Sequence, residues 1–143
     1  MPPKKKEEKK EEDEAPQEDA GVYVFEDGSR YDGQFSRKEG VVKRNGVGVW
    51  FDGDCKYDGQ WVDDRMNGKG EFTFGSGAKY KGHFMDDRFD GRGTYDWPDG
   101  SSYTGEWRNN KMHGEGVFHD KEGRRWHGKF YNGSGPGLRV EVE

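Results

Sequence analysis

Tyr80-Lys81-Gly82-His83-Phe84-Met85-Asp86-Asp87-Arg88-Phe89-Asp90-Gly91-Arg92-Gly93-Thr94-Tyr95 decides how the rest of the chain is read. It holds an aromatic-x-Gly-x-aromatic segment, a polar connection, and then Gly-x-Gly-x-aromatic. The opening aromatic recurs at Tyr57, Tyr80, Tyr103 and Trp126, each 23 residues after the last. A fixed period of this size marks a repeat array, in which each unit buries its apolar face on its neighbours. Alternating side chains point to opposite sides of a strand, so Tyr80, Gly82 and Phe84 share a face, as do Gly68, Gly70, Phe72 and Phe74. The other face carries Lys69, Glu71, Thr73, Lys79, Lys81 and His83.

Each aromatic run is separated from the next by a turn signal. Asp27-Gly28, Asp52-Gly53, Ser76-Gly77, Asp99-Gly100 and Glu122-Gly123 each fall between two runs, and Gly at such a place supplies positive φ without steric cost. The expected fold is therefore all-β, an elongated stack of about five antiparallel hairpins followed by a C-terminal strand. Glycines on the aromatic face leave room for a ring from the next hairpin. Gly82→Val is expected to overpack that slot at a cost of about 1–3 kcal/mol.

Composition agrees once periodicity is taken into account. Only 28% of residues are hydrophobic and 37% are charged, which by itself suggests disorder, but aromatics make up 15% and recur beside the glycines. With one Leu and no Ile, a thick two-layer core is not expected. Cys55 is the only cysteine, so there is no disulfide framework and no Cys-pair metal motif. No apolar run reaches the ~20 residues of a membrane span. The N-terminus lacks the apolar region of a secretory signal, and Pro2 does not suit myristoylation. A net charge of −5 argues against nucleic acid as the main partner.

The chain divides into a charged tail (residues 1–20), a repeat array (21–137) and a C-terminal capping or edge strand (138–143). In the tail, Lys4-Lys5-Lys6, Glu7-Glu8, Lys9-Lys10 and Glu11-Glu12-Asp13-Glu14 alternate, a composition expected to be disordered or loosely helical and to act as a solubiliser or an electrostatic arm. The connections 62–67 and 108–113 are expected to be tight turns, with Met66, Phe89 and Met112 tucked beneath the sheet. Residues 36–45 break the period, since Tyr31 and Tyr57 lie 26 apart, and a protruding loop is expected there. Val22, Val24, Val47, Val49 and Phe51 place apolar groups on the otherwise polar face of the first two hairpins. Leu138, Val140 and Val142 either cap the last hairpin or offer an edge for pairing with a partner strand or a second copy.

Tyr-x-Gly-x-Trp/Phe, a linker, Gly-x-Gly-x-aromatic and Asp-Gly before the next Tyr, over residues 21–130, together resemble the MORN (membrane occupation and recognition nexus) repeat family. The ending, from Asp120-Lys121-Glu122-Gly123 to the final strand, looks like the small MORN-repeat-containing protein 2 subfamily, from which the longer N-terminus departs. The resemblance implies stacked antiparallel hairpins. It implies a protein-binding scaffold, a cytoplasmic setting in a cilium or flagellum, with axonemal or other cytoskeletal partners, and alternatively phospholipid binding.

Three classes of function follow from the residues. Aromatics beyond those needed for stacking would line a groove that grips a helix or extended peptide, with Tyr57, Trp61, Tyr80, Phe84, Tyr103, Trp107, Trp126 and Phe130 as candidate anchors; the alternative is that these rings are core. Membrane binding needs a basic stripe, and Asp58, Glu71, Asp96 and Glu106 interrupt Lys79 and Lys81. Catalysis is not expected. His83, His113, His119 and His127 lie on different segments, no nucleophile elbow or Walker motif is present, and the Gly-x-Gly pairs precede no helix. No cofactor, metal or catalytic residue is assigned.

Overall fold

A computed structural model describes residues 17–141. These residues form one antiparallel sheet of eleven strands in strict sequence order: β1 (Gln17–Val24), β2 (Arg30–Lys38), β3 (Val41–Asp52), β4 (Cys55–Val62), β5 (Arg65–Thr73), β6 (Lys79–Met85), β7 (Arg88–Asp96), β8 (Ser102–Arg108), β9 (Lys111–His119), β10 (Arg125–Phe130) and β11 (Arg139–Val140). The five expected hairpins are β1–β2, β3–β4, β5–β6, β7–β8 and β9–β10, with β11 as the last strand. No described residue is helical.

The core lies on one side of this sheet. Tyr31, Tyr57, Tyr80 and Tyr103 are each at most 1% exposed. Tyr57, Tyr80 and Tyr103 are each held between two rings set nearly perpendicular to them, whereas Tyr31 meets Trp61 at 5.5 Å. Tyr57 meets Trp61 of its own strand at 5.0 Å and Phe84 of the next repeat at 5.0 Å. Tyr80 likewise meets Phe84 at 5.1 Å and Trp107 at 5.4 Å, and Tyr103 meets Trp107 at 5.2 Å and Phe130 at 4.8 Å. Edge-to-face pairs of this kind add about 0.5–1.5 kcal/mol each beyond the area they bury. One layer of strands can thus bury whole side chains, because the covering comes from the neighbouring repeat.

The glycines divide into two kinds. Gly48, Gly70, Gly93 and Gly116 lie under the tyrosine of the preceding strand; a Cβ on Gly70 would stand 2.4 Å from the Tyr57 hydroxyl oxygen. Gly33, Gly59, Gly82 and Gly105 instead face the backbone of the paired glycine, and a Cβ on Gly82 would lie 2.4 Å from Gly93 Cα. Making room for a ring is therefore the role of only half of them. The other half allow a close backbone approach.

Three sequence expectations change. The stretch assigned to the tail loses its last residues, since Gln17–Ala20 pair with Gln34–Arg37 in β1–β2. The rest of the tail reading lies outside the described residues. Residues 36–45 are no loop: Ser36 pairs with Lys43, Arg37 with Val42 and Lys38 with Val41, so both strands simply run longer to a turn at Glu39-Gly40. The tight turns expected at 62–67 and 108–113 are present, closing on Val62 with Arg65 and Arg108 with Lys111, and Met66, Phe89 and Met112 pack against the buried rings. The C-terminal strand shortens to two residues, with Val140 opposite Trp126 and Arg139 opposite His127. Leu138 packs against the core, whereas Val142 lies outside the described residues.

Candidate ligand-binding stripe

The anchors expected from the repeat are largely sealed. Tyr57, Trp61, Tyr80, Phe84, Tyr103, Trp107 and Phe130 are no more than 7% exposed. Their polar atoms are satisfied internally. The hydroxyls of Tyr57, Tyr80 and Tyr103 donate to the carbonyls of Gln60, His83 and Glu106 at 2.8, 2.8 and 2.9 Å, and Tyr31 donates likewise to Gln34. The indoles of Trp61 and Trp107 donate to Gly48 and Gly93, both at 3.1 Å. These rings are where the sheet is held together. Trp126 differs: it is half-buried, and its Nε1–H donates to Asp120 Oδ2 at 2.9 Å.

The aromatic surface that does reach solvent comes from the Gly-x-Gly-x-aromatic strands and the turns after them. Trp50, Phe72, Phe74, Tyr95, Trp97 and Phe118 are all half-buried. They form an unbroken row across β3, β5, β7 and β9. Successive centroid distances are 6.4 Å from Trp50 to Phe72, 4.6 Å to Phe74, 5.8 Å to Tyr95, 4.7 Å to Trp97 and 5.8 Å to Phe118. The signal lay in the sequence, since each of these rings follows the glycine pair, past the glycine that the tyrosine covers. The row packs on the buried cluster through one side and presents the other, which makes it a pre-formed apolar strip rather than a set of mobile side chains.

Carboxylates punctuate the turns beside this row. Asp27 and Asp99 each accept from the following serine, at 2.6 Å from Ser29 Oγ and 2.5 Å from Ser101 Oγ. Those serine hydrogen bonds, side chain first and backbone second, hold both carboxyls below the usual carboxylate range. Asp120 is held lower still, at about 2, by the indole N–H of Trp126 and then by Arg124, against a smaller opposing effect of burial. At neutral pH Asp27 and Asp99 present negative charge, whereas the charge of Asp120 is paired with Arg124 at 2.7 Å.

The polar side of the sheet has a different character. A shallow hollow of about 370 Å³ there is lined by Asp58, Lys69, Glu71, Lys81 and His83, among others, and charges of both signs alternate across it. Among the described residues no group of three or more His, Cys, Asp or Glu side chains could hold a metal ion.

A family model described as MORN repeat matches the chain over residues 20–30, 57–79, 80–102 and 103–123, which is more than half of it. The chain belongs to the MORN repeat family. The matched segments contain the buried tyrosines Tyr57, Tyr80 and Tyr103, and most of the exposed row falls within them. A search of curated proteins finds none that matches.

Proposed function

We propose that this MORN repeat protein is a non-enzymatic scaffold that holds a partner polypeptide along its exposed aromatic row. Membership of the MORN repeat family is consistent with a protein-binding or a membrane-associated role. The observation that favours protein is the row from Trp50 to Phe118, whose rings are spaced by 4.6–6.4 Å and backed by a rigid core. Aromatics of this kind lose little entropy on binding and act as anchors at protein interfaces. The ionised turn carboxylates Asp27 and Asp99 suit a helix or extended peptide with apolar and basic residues, and they disfavour an anionic lipid surface. A cytoplasmic place in a ciliary or flagellar axoneme, among cytoskeletal components, rests on the family resemblance alone, as does the finer kinship with the small MORN-repeat-containing protein 2 subfamily.

The test is affinity capture from flagellar extract with the wild type and a Phe74→Ala/Trp97→Ala variant. Both replaced rings are half-exposed, so the variant should keep its circular dichroism spectrum. Loss of the captured proteins is the expected result. An unchanged set from a folded variant would overturn the assignment to the row, and co-sedimentation with anionic liposomes at physiological salt would favour lipid instead.

A further inference from the structure

Each covered glycine in this sheet has a tyrosine above it, with one exception. Tyr31 lies over Gly48, Tyr57 over Gly70, Tyr80 over Gly93 and Tyr103 over Gly116, in every case from the strand immediately before. Gly21 occupies the same place in β1, opposite Gly33 as Gly48 is opposite Gly59. Among the described residues, the only atom that a Cβ on Gly21 would approach is Phe35 Cε1 at 3.7 Å. No ring covers it, because no strand precedes β1 in the sheet order of the described residues.

The surroundings of Gly21 show the same vacancy. Phe35 corresponds to Trp61, Phe84, Trp107 and Phe130, each of which closes on the tyrosine of the preceding repeat and is at most 7% exposed. Phe35 is only half-buried and stands outside that buried cluster. Tyr23, the counterpart of Trp50 and Phe72, is 53% exposed. A hollow of about 410 Å³ opens at this end, with Val22, Tyr23, Phe25, Tyr31, Phe35 and Arg37 among its walls.

We infer that the free edge of β1 is a docking site for a β-strand of another polypeptide that carries Tyr-x-Gly. The chain contains four templates for the register. In β2–β3, β4–β5, β6–β7 and β8–β9 the glycines pair directly, and the tyrosine two residues earlier faces the aromatic of the next strand. Transferred to β1, the incoming glycine lies opposite Gly21 and its tyrosine opposite Tyr23. The tyrosine ring then covers Gly21 and closes on Phe35. The residue between them faces Val22, as Asp32 faces Val49 and Thr104 faces Val117 within the sheet, so it carries no strict requirement. Strand addition of this type draws affinity from main-chain hydrogen bonds and specificity from side-chain slots.

The chain cannot easily supply this strand itself. Residues 1–16 contain neither Tyr nor Gly. The Tyr-x-Gly strands β2, β4, β6 and β8 are paired on both sides, and so is β10, which has Trp126 at the tyrosine position. A second copy therefore has no free strand of the required kind. At the other end the slot is filled, since Leu138 packs beside Gly128.

A synthetic peptide copying residues 78–86, which contains Tyr80-Lys81-Gly82, serves as the probe. The expected result is binding that protects the β1 amides from hydrogen exchange, and a loss of about tenfold or more when the peptide's Tyr80 is replaced by Ala. Gly21→Ala should weaken binding to a similar degree while leaving the thermal midpoint of the free protein intact, because its Cβ meets only an ordinary contact. No protection of β1 at about 1 mM peptide, or equal binding by the Gly21→Ala protein, overturns the proposal. Self-association of the free chain that Gly21→Ala abolishes would also overturn it, by giving the slot to a second copy. The experiment involves the β1 edge alone and leaves the aromatic row untouched.

Discussion

At the residue scale, the absence of a side chain is what the repeat exploits. Gly70 and Gly82 are both strand glycines, yet a methyl group meets different obstacles at the two positions. On Gly70 it would meet the Tyr57 ring, which can yield only by giving up its hydrogen bond to Gln60 and its fit against Trp61 and Phe84; on Gly82 it would meet Gly93 Cα and the Arg92 carbonyl, which cannot yield without moving a strand. Gly82→Val should therefore cost about 1–3 kcal/mol or somewhat more, and Gly70→Ala less, measured by urea denaturation of the full chain. Equal losses would show that the backbone approach is not the tighter constraint. The tyrosines make a second, pH-dependent prediction. Burial pushes the hydroxyls of Tyr31 and Tyr103 up to about 12, and those of Tyr57 and Tyr80 higher. The folded state thus keeps protons that the unfolded chain releases near pH 10. Stability is full below that value and falls as pH rises toward 12. Absorbance at 295 nm should accordingly show these four phenols ionising together with unfolding.

At the scale of the element, the two-residue turns fasten one repeat to the next. Asp63-Asp64, Asp86-Asp87 and Asn109-Asn110 all hold positive φ at both positions, the mirror-image geometry that suits a hairpin's twist. The second residue of each turn then grips the previous repeat from both directions. Asp87 N–H donates to the Met66 carbonyl at 3.1 Å while its carboxylate accepts from Met66 N–H at 2.9 Å, and Asn110 treats Phe89 in the same way at 3.0 and 2.9 Å. Asp64 and Arg44 form the same pair, reinforced by an ion pair of 2.6 Å, with the guanidinium 4.3 Å above Trp61. Asp87→Ala should cost about 1–2 kcal/mol through backbone strain and the lost acceptor. Asp87→Gly should cost less, since it relieves the strain, and Gly133 already fills this place in the last repeat with its N–H 2.8 Å from the Met112 carbonyl. A Gly variant no better than Ala in thermal melts would leave strain out of the account.

These fasteners also mark the limit of what could be read from the sequence. The hairpins, the 23-residue period and the separation of faces followed from rings and glycines at period two, because strand geometry leaves little choice about where such side chains point. Asp-Asp is not a turn signature, however, and only the partner carbonyl on the previous repeat explains why two adjacent carboxylates accept left-handed backbone. The same reasoning accounts for the displacement of the exposed aromatic surface from the rings the repeat singles out. Sequence spacing identified the rings that recur, whereas exposure depends on which ring the next tyrosine covers, a relation between repeats that no single repeat contains.

At the scale of the whole molecule, every strand pairs only with its neighbours in sequence, from β1 through to β11. Among the described residues no strand pairing ties the two ends together, so stability is close to a sum of repeat and nearest-neighbour contributions. Interior repeats gain from rings on both sides: Tyr80 closes on Phe84 and Trp107 and also stacks on Phe89 at 3.9 Å. The ends gain from one side. β1 has an uncovered Gly21 and solvent-exposed Val22, Tyr23 and Val24, while β11 is two residues long. Amide hydrogen exchange at neutral pH should therefore show a gradient, with the slowest amides in β5 to β8 and faster opening toward both ends. Weakening the middle has a different consequence from weakening an end. A Tyr80→Ala change removes rings from both neighbours at once and should release protection on either side of β6, splitting the array into two weaker halves. A Tyr31→Ala change should release β1 and β2 and leave β6 to β9 slow. Uniform loss of protection in both variants would show that the sheet opens as one cooperative unit rather than repeat by repeat.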